Sequence, residues 1–276
     1  MRVAVLGLGI IGSRAAANLQ RNPKNRVSLW NRTPKGLEGE IPDLIEATAD
    51  ADVIALYLKD GPAVREIAER LWASSSGTPV LLNHSTVDLE TTRWLAGECA
   101  KRQWGFLDAP FTGSRDAAAN RQLVYYAAGD PLLLEKLQPF LLETSKEVIA
   151  CGEAGRATII KLVTNLVSAC TVQALAEGLA TASHHGIEPE TFTSAVASNA
   201  CGSPLAALKL PTMASGDFEP HFSLQNMLKD SRYVLELAKG LDTPAIKAVS
   251  DRMSELCDSG LATKDYSSLS SPYLDS

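Results

Sequence analysis

Short apolar runs alternate with amphipathic stretches over the first 150 residues of the chain. Residues 62–72 and 88–102, for example, carry apolar side chains at helical spacing, whereas the runs between such stretches have the composition of strands. The strand candidates are 2–6, 26–30, 52–58, 79–83, 105–109, 123–128 and 147–151. Strands that alternate with helices are typical of βαβ units, so this half predicts a doubly wound, mostly parallel sheet covered by helices on both faces.

The pattern changes in the second half of the chain. Residues 152–186 contain no proline, and their apolar side chains recur at helical spacing. They predict one helix of roughly thirty residues, about 45 Å long. The sequence beyond it is also helical in pattern, punctuated by glycines and prolines. We therefore predict a sheet domain at 1–153, an all-α domain at 154–276, and a polar tail at 265–276 that frays or lies on the surface.

Composition predicts a globular protein without nucleic-acid or membrane partners. The chain has 276 residues, of which 45% are apolar and 21% charged, enough for a large core. Its net charge of −6 argues against nucleic acid, whose phosphates attract basic surfaces. No apolar run is expected to be long enough to span a membrane. The N-terminus enters a strand pattern directly, so a cytoplasmic location is expected.

The cysteines and histidines predict no metal site. The five cysteines are scattered, odd in number and never spaced as Cys-x-x-Cys, which also argues against a disulfide framework. Of the four histidines, His184 and His185 precede Gly186, where a helix is expected to end and where a cation interacts favourably with the helix terminus.

A glycine motif follows the first predicted strand. Residues 7–12 read GLGIIG, and a helical pattern begins directly after them. Glycines at Gly7, Gly9 and Gly12 allow a tight turn and close approach of the backbone to a pyrophosphate, whose charge is favoured at a helix N-terminus. A plain strand–helix turn is the alternative. The second strand, at 26–30, completes a βαβ unit and favours a dinucleotide site.

The end of the second strand selects the cofactor. Proteins that bind NAD usually place Asp or Glu there, where it accepts hydrogen bonds from the ribose 2′-hydroxyl. This chain has Asn31, Arg32 and Thr33 instead. No carboxylate at these positions repels a 2′-phosphate, and a guanidinium is present to bind one. We predict NADP(H), the alternative being that Arg32 is a solvated surface side chain.

A lysine in the long helix is the candidate proton donor for hydride transfer. Lys161 and Asn165 are four residues apart and share one helix face close to the apolar stripe. An ammonium there can protonate a carbonyl oxygen as hydride reaches the carbon, with Asn165 orienting the lysine or the substrate. The alternative is a lysine that extends from the helix edge to solvent.

Polar residues also follow two other predicted strands. Residues 108–114, DAPFTGS, lie at the carboxyl end of a strand, where open parallel sheets bind ligands, and their hydroxyl and N–H groups can hold a carboxylate. An ordinary turn explains them equally well. In HSTVD, at 84–88, Ser85 and Thr86 are candidates to contact the cofactor, while Asp88 is a candidate helix cap.

Six segments in order resemble the β-hydroxyacid dehydrogenases over nearly the whole chain. They are GLGIIG at 7–12, WNRT at 30–33, STVD at 85–88, DAPFTGS at 108–114, the Gly-x-x-Gly…Lys-Leu-x-x-Asn pattern at 152–165, and Lys-Asp at 229–230. WNRT, STVD, the Gly-Ser pair and QLVYYAAGD at 122–130 are most similar to the glyoxylate and succinic semialdehyde reductase branch. That branch reduces small aldehyde acids to hydroxy acids with NADPH.

The resemblance implies an architecture and a role for each matching residue. It implies a Rossmann domain joined by the long helix to an all-α domain, and assembly as a homodimer or homotetramer. Lys161 is implied to be the catalytic acid, assisted by Asn165. The substrate site comprises Thr112, Gly113, Ser114, Phe222 and Asp230. The cofactor site comprises Gly7, Leu8, Gly9, Ile10, Ile11, Gly12, Asn31, Arg32, Thr33, Leu58, Thr86 and Lys229.

The chain departs from the family at several positions. Phe111-Thr112-Gly113 stands where the family has Val-Ser-Gly, Arg121 replaces a glycine, and the segment between Thr33 and the third strand is shorter than usual. Three other functions therefore stay open: imine reduction, a 3-hydroxyisobutyrate or tartronate semialdehyde type of dehydrogenase, and NADP binding without catalysis. Imine-reducing relatives carry Asp or Tyr where this chain has Lys161, which disfavours the first.

Overall fold

An eight-stranded sheet forms the first of two compact units. The computed structural model describes residues 1–74 and 77–274, and the units are Met1–Lys161 and Leu162–Ser276. The strands are β1 (Arg2–Leu6), β2 (Arg26–Trp30), β3 (Val53–Leu56), β4 (Val80–Asn83), β5 (Gly105–Asp108), β6 (Phe111–Thr112), β7 (Leu123–Gly129) and β8 (Ser145–Gly152). Their order is β2-β1-β3-β4-β5-β7-β6, with β8 beside β7.

The sheet is mostly parallel, as predicted. Strands β1 to β5 pair in parallel, whereas β7 runs antiparallel to β5 and parallel to β8. Within residues 1–74 and 77–161, the helices that belong wholly to this unit are α1 (Gly12–Gln20), α2 (Leu44–Thr48), α3 (Gly61–Ser74), α4 (Leu89–Lys101), α5 (Arg115–Ala119) and α6 (Pro131–Leu141). Each connects to the next strand along the chain, which is the pattern expected of βαβ units.

Alternating side chains of β1 show that both faces of the sheet are covered. Ala4 and Leu6 belong to one buried apolar cluster, whereas Val3 and Val5 belong to another. Successive side chains of a strand point to opposite faces, so each cluster fills one side of the sheet. This double burial accounts for the nearly continuous apolar runs from which the strands were predicted.

The short connection after β2 runs along the edge of the sheet. The Leu29 N–H donates to Gly39 O at 3.0 Å, and the Ile41 N–H donates to Leu29 O at 2.8 Å. Because β2 is an edge strand, this segment covers backbone groups that would otherwise be exposed. The connection then forms only the five-residue helix α2, whose N-terminus is capped by Asp43.

The second unit is helical throughout its regular structure. Helix α7 (Arg156–His184) begins in the first unit and continues into the second, followed by α8 (Pro189–Ala197), α9 (Pro204–Ser215), α10 (Leu224–Leu237) and α11 (Pro244–Leu256). Val172 and Leu175 of α7 belong to the same buried cluster as Met213, Met227 and Met253. The predicted long helix is therefore confirmed at 29 residues.

Two expectations from the sequence were wrong in the second unit. The tail is not frayed through its described part, because Tyr266–Tyr273 forms a 3₁₀ helix in which Ser267 and Ser268 are buried. Asp265 holds it by accepting from the Ser267 N–H at 2.9 Å and from Lys209 Nζ at 2.6 Å. The last two residues, 275 and 276, lie outside the described residues.

The second error concerns the length of the apolar segment in α7. Among the described residues, this helix is long enough to cross a membrane, and 18 of its residues reach a mean hydropathy of 1.5. Polar residues such as Lys161 and Asn165 interrupt the apolar segment, so a search for one continuous apolar run does not find this helix. The core helix of a soluble protein has the same properties, and 44% of that window is buried inside the protein.

Candidate active site

The glycine turn between β1 and α1 is shaped by close backbone packing. Gly7 has φ +100°, and a Cβ placed there would lie 2.3 Å from Tyr57 O. A Cβ on Gly12 would lie 1.9 Å from Gly7 O. For Gly9, by contrast, no heavy atom of the described residues beyond its two chain neighbours lies within 4 Å of that position. The exposed Gly9 backbone, just before α1, therefore leaves the approach to the turn open, as a phosphate-binding turn requires.

Asn31 fixes the turn to the end of β2. Its Oδ1 accepts from the Leu8 N–H at 2.8 Å, and its Nδ2 donates to Thr33 O at 2.7 Å. Both ends of the amide therefore bond to neighbouring backbone. Asn31 lies where a cofactor-binding residue is expected. Its side-chain bonds hold the glycine turn against the loop that follows β2.

Arg32 is not a solitary surface side chain. Its Nη2 lies 2.5 Å from Oε2 of Glu66 on α3, and the two side chains are 62% and 51% exposed. A guanidinium that binds a carboxylate presents the donors that bind phosphate. Glu66 had no signal in the sequence, because it follows Arg32 by 34 residues and lies on another element.

The ends of β3 and β4 are joined through Ser85. Its hydroxyl oxygen accepts from the Leu58 N–H at 2.8 Å and the hydroxyl lies 3.2 Å from Leu56 O. Ser85 is buried, whereas Thr86 and Leu58 are partly exposed beside it. Asp88 accepts from the Thr91 N–H at 2.7 Å, so its predicted alternative role as the cap of α4 is confirmed.

A stack of aromatic rings lies at the same edge of the sheet, and the sequence analysis missed it. The His84 ring lies 4.6 Å from Tyr57 and 4.7 Å from Tyr125, measured between centroids. The Tyr57 and Tyr125 hydroxyls are 2.8 Å apart. Burial lowers the pKa of His84 to about 4, and its Nδ1 lies 2.7 Å from Ala109 O. The imidazole is therefore neutral near pH 7 and poorly suited to donate a proton.

The predicted substrate loop follows β5 and is shaped by the strand beside it. Gly113 has φ +135°, and a Cβ there would lie 2.8 Å from Leu123 Cδ2. The Ser114 hydroxyl oxygen accepts from the Ala117 N–H at 3.3 Å and caps α5. Thr112, in β6, is partly exposed. Ser114 thus has a structural task, while Thr112 and the Gly113 backbone remain suited to hold a carboxylate.

Both departures from the family next to this loop have structural partners. The Phe111 ring packs edge-on to Tyr125, with 6.3 Å between centroids, and lies 6.1 Å from Tyr57. Arg121 adopts φ +59°, a left-handed conformation that glycine adopts more readily. Its Nη2 donates to Leu142 O at 3.3 Å. The arginine therefore occupies a conformation that favours glycine, and its side chain bonds to the end of α6.

Lys161 lies in the second turn of α7, within the first unit. It is only 9% exposed. That burial disfavours the alternative in which the side chain extends along the helix edge into solvent. Asn165 follows one turn later on the same helix and is 7% exposed.

In the second unit, Asn165 and Lys229 lie against a buried carboxylate, that of Asp230. Asn165 Nδ2 donates to Asp230 Oδ2 at 2.7 Å. Lys229 Nζ lies 3.0 Å from the other oxygen, Oδ1, and forms an ion pair with it. Asp230 is fully buried. Phe222 packs edge-on to Tyr266 with 6.1 Å between centroids.

Each unit therefore holds a distinct part of the predicted site. The first holds the glycine turn and Asn31, Arg32, Thr33, Leu58, Thr86, Thr112, Gly113, Ser114 and Lys161. The second holds Asn165, Phe222, Lys229 and Asp230. Among residues 1–74 and 77–274, no group of three or more His, Cys, Asp or Glu side chains is arranged to hold a metal ion.

Comparison with known proteins yields two family matches that meet near the start of α7. Residues 2–152 match the NAD binding domain of 6-phosphogluconate dehydrogenase. Residues 155–273 match the family described as NAD-binding of NADP-dependent 3-hydroxyisobutyrate dehydrogenase. The predicted domain boundary, after residue 153, lies between the two matches, whereas the compact units divide later, after Lys161.

Individual relatives resemble the chain over nearly its whole length. Glyoxylate/succinic semialdehyde reductase 2 of Arabidopsis thaliana, a chloroplastic protein, is 30% identical over 280 residues, covering 97% of this chain and 78% of the relative. The solved structure of Mycobacterium tuberculosis 3-hydroxyisobutyrate dehydrogenase with L-serine matches with a TM-score of 0.89 and 24% identity, covering 99% of both chains. Psf3 in complex with NADP⁺ and 2-OPP also gives 0.89, at 20% identity, covering 98% and 99%.

The fold, the glycine turn and the two family matches define an oxidoreductase that depends on a nicotinamide cofactor. More specifically, the chain belongs to the β-hydroxyacid dehydrogenase family, and the resemblance predicted from its sequence motifs is confirmed.

Proposed function

We propose that the protein reduces a small aldehyde acid, of the glyoxylate or succinic semialdehyde type, to the hydroxy acid with NADPH. The observation that carries the proposal is the buried Lys161 on α7, in the same unit as the glycine turn. That burial directs the side chain into the protein rather than into solvent, as a proton donor to a bound substrate requires. The similarity to an Arabidopsis thaliana glyoxylate/succinic semialdehyde reductase supports this substrate class.

The chain's own residues supply the proton and hold the substrate. When bound, the nicotinamide cofactor would supply the hydride that adds to the carbonyl carbon. Lys161 donates a proton from Nζ to the carbonyl oxygen as negative charge develops there, and it regains that proton from water. Asp230 holds the amide of Asn165 in one orientation, so that Asn165 can direct the lysine or the substrate oxygen. Thr112 and the Gly113 N–H bind the carboxylate of the substrate.

Preference for NADPH is the second part of the proposal. Residues 31–33 contain no carboxylate, and Arg32 already binds one oxyanion, the carboxylate of Glu66. A 2′-phosphate carries more negative charge than a single carboxylate and can replace Glu66 or share the guanidinium with it. The space beside Gly9 accommodates the pyrophosphate of either cofactor, so discrimination depends on Arg32.

Arg32→Ala is expected to weaken NADPH binding by roughly 1.5–3 kcal/mol, the scale of hydrogen bonds to charged groups. NADH has no 2′-phosphate, so its affinity should not change. Dissociation constants for both cofactors, measured by nicotinamide fluorescence, check this. Arg65→Ala is the matched control, because Arg65 lies on α3 and also pairs with an exposed carboxylate, that of Glu90. Equal losses for NADPH and NADH would show that Arg32 does not recognise the phosphate.

A substrate panel tests the reaction itself. The purified protein is incubated with NADPH and glyoxylate, succinic semialdehyde, tartronate semialdehyde or a cyclic imine, and the absorbance of NADPH is followed. Turnover of an aldehyde acid supports the proposal. Turnover of the imine alone contradicts it and favours imine reduction. If the protein binds NADPH but turns over none of the four, cofactor binding without catalysis becomes the better account.

A further inference from the structure

Asp108, the last residue of β5, bonds to the start of α7. Its Oδ2 accepts from the Gly155 N–H at 3.0 Å and the Thr158 N–H at 2.9 Å. Its Oδ1 accepts from the Thr158 hydroxyl at 2.8 Å. The side chain is completely buried. All three residues lie in the first unit, as Lys161 does.

The helix needs such a partner at this end. The first N–H groups of any helix lack partners within the helix, and negative charge is favoured near them. The first turn of α7 contains no acidic residue of its own. Asp108 therefore acts as a cap supplied from a strand about fifty residues earlier. The geometry is tight, since Gly155 has φ +97° and a Cβ there would lie 2.8 Å from Leu89 Cδ1.

Asp108 is also the residue at which the predicted substrate loop, 108–114, begins. Asp108 pairs with Asn83 of β4 and Ala128 of β7, so its backbone is fixed in the sheet. Thr112 and Gly113 follow within five residues. On the helix side, Lys161 comes three residues after Thr158, a rise of about 4.5 Å. One side chain thus connects the strand that carries the loop to the helix that carries the lysine.

We infer that Asp108 is a positioning residue of the reaction, which holds Lys161 at a fixed distance from the substrate loop through its bonds to Gly155 and Thr158. The inference rests on the proposed role of Lys161 as proton donor. Asp108 itself is too enclosed to meet substrate. Its effect on catalysis must therefore pass through the placement of α7.

The charge state of Asp108 determines the pH at which the inference should be tested. Burial raises the pKa of this carboxyl to about 6, while the N–H and hydroxyl groups that it accepts from act in the opposite direction. At pH 8 the group is therefore ionised, and assays at that pH examine the carboxylate. A change to asparagine keeps the shape and one oxygen acceptor but removes the charge.

Asp108→Asn is expected to lower kcat roughly tenfold, because small displacements of a reacting group are costly. The dissociation constant of NADPH should stay within about twofold, since the Asp108 side chain bonds to the start of α7. The decisive measurement repeats the substitution in the Lys161→Ala background. If Asp108 acts through Lys161, Asp108→Asn has no further effect on the residual kcat there.

Other outcomes overturn the inference. A tenfold loss in both backgrounds would mean that Asp108 affects catalysis independently of Lys161, and an unchanged kcat in the single variant would mean that it does not position the helix for catalysis. If Lys161→Ala alone has no effect on kcat, the proposed function fails instead, which is a distinguishable result. Should Asp108→Asn not fold, Thr158→Val removes the hydroxyl that bonds to both Asp108 and Thr92 but keeps the two N–H bonds to Asp108. It is expected to show a smaller loss of kcat with the same dependence on Lys161.

Discussion

Lys161→Ala is expected to lower kcat at least a hundredfold, the usual share of general acid catalysis, while NADPH affinity stays nearly unchanged. The reason is that Lys161 is the proton donor of the proposed reaction. Lys161 is only 9% exposed, and His84, at the carboxyl end of β4, is buried and neutral, so it is poorly suited to replace the lysine as donor. Steady-state turnover of the best substrate in the panel, together with NADPH titration of the same preparation, measures the two quantities separately.

Two further variants separate proton donation from charge and from general damage. Lys161→Arg keeps a positive charge, but arginine does not release its proton at neutral pH, so kcat should stay low. Lys101→Ala removes a lysine that is 71% exposed at the end of α4, and it should leave kcat unchanged. Recovery of activity in the arginine variant would indicate that position 161 contributes charge alone. Equal activity in Lys161→Ala and the parent would remove the lysine from the mechanism.

Local patterns were sufficient to predict most of the framework. The strands β1 and β2 have the predicted bounds. In β1, side chains buried on both faces produce an apolar run with clear ends. The helix α7 was also predicted at nearly its full length. The two-residue strand β6 was missed, since Phe111 and Thr112 are too few to form a pattern and pair only because β7 lies beside them.

Contacts between distant residues are what the sequence did not reveal. Asp108 and Thr158 are 50 residues apart, and Tyr57 and Tyr125 are 68 apart. No periodicity connects such pairs, and each side chain has an ordinary interpretation in its own segment. Motif spacing located the glycine turn and Lys161 because these functions depend on neighbours in sequence. The positioning contacts around them depend on the folded sheet, which only the structure supplies.

Substitutions in the glycine turn are expected to have the second large effect, and Gly12 and Gly9 differ in what they do: Gly12 packs against backbone, whereas Gly9 is open. Gly12→Ala would place a Cβ 1.9 Å from Gly7 O, a backbone atom that cannot move without opening the turn. We expect a loss of more than about 3 kcal/mol in the free energy of unfolding, since overpacking against fixed backbone belongs to the severe class of substitutions. Urea unfolding of the protein without cofactor measures it directly, and NADPH affinity should fall with it.

Gly9→Ala is the matched variant, and it should separate cofactor binding from folding. Within the part of the chain that the structure describes, the added Cβ would meet no atom within 4 Å. The free energy of unfolding should therefore change by less than about 0.5 kcal/mol. The same methyl group would occupy the space where the backbone approaches the pyrophosphate, so NADPH should bind at least about tenfold more weakly. Parental NADPH affinity in Gly9→Ala would show that the phosphates do not lie over this turn, whereas parental stability in Gly12→Ala would contradict the packing of Gly12 against Gly7.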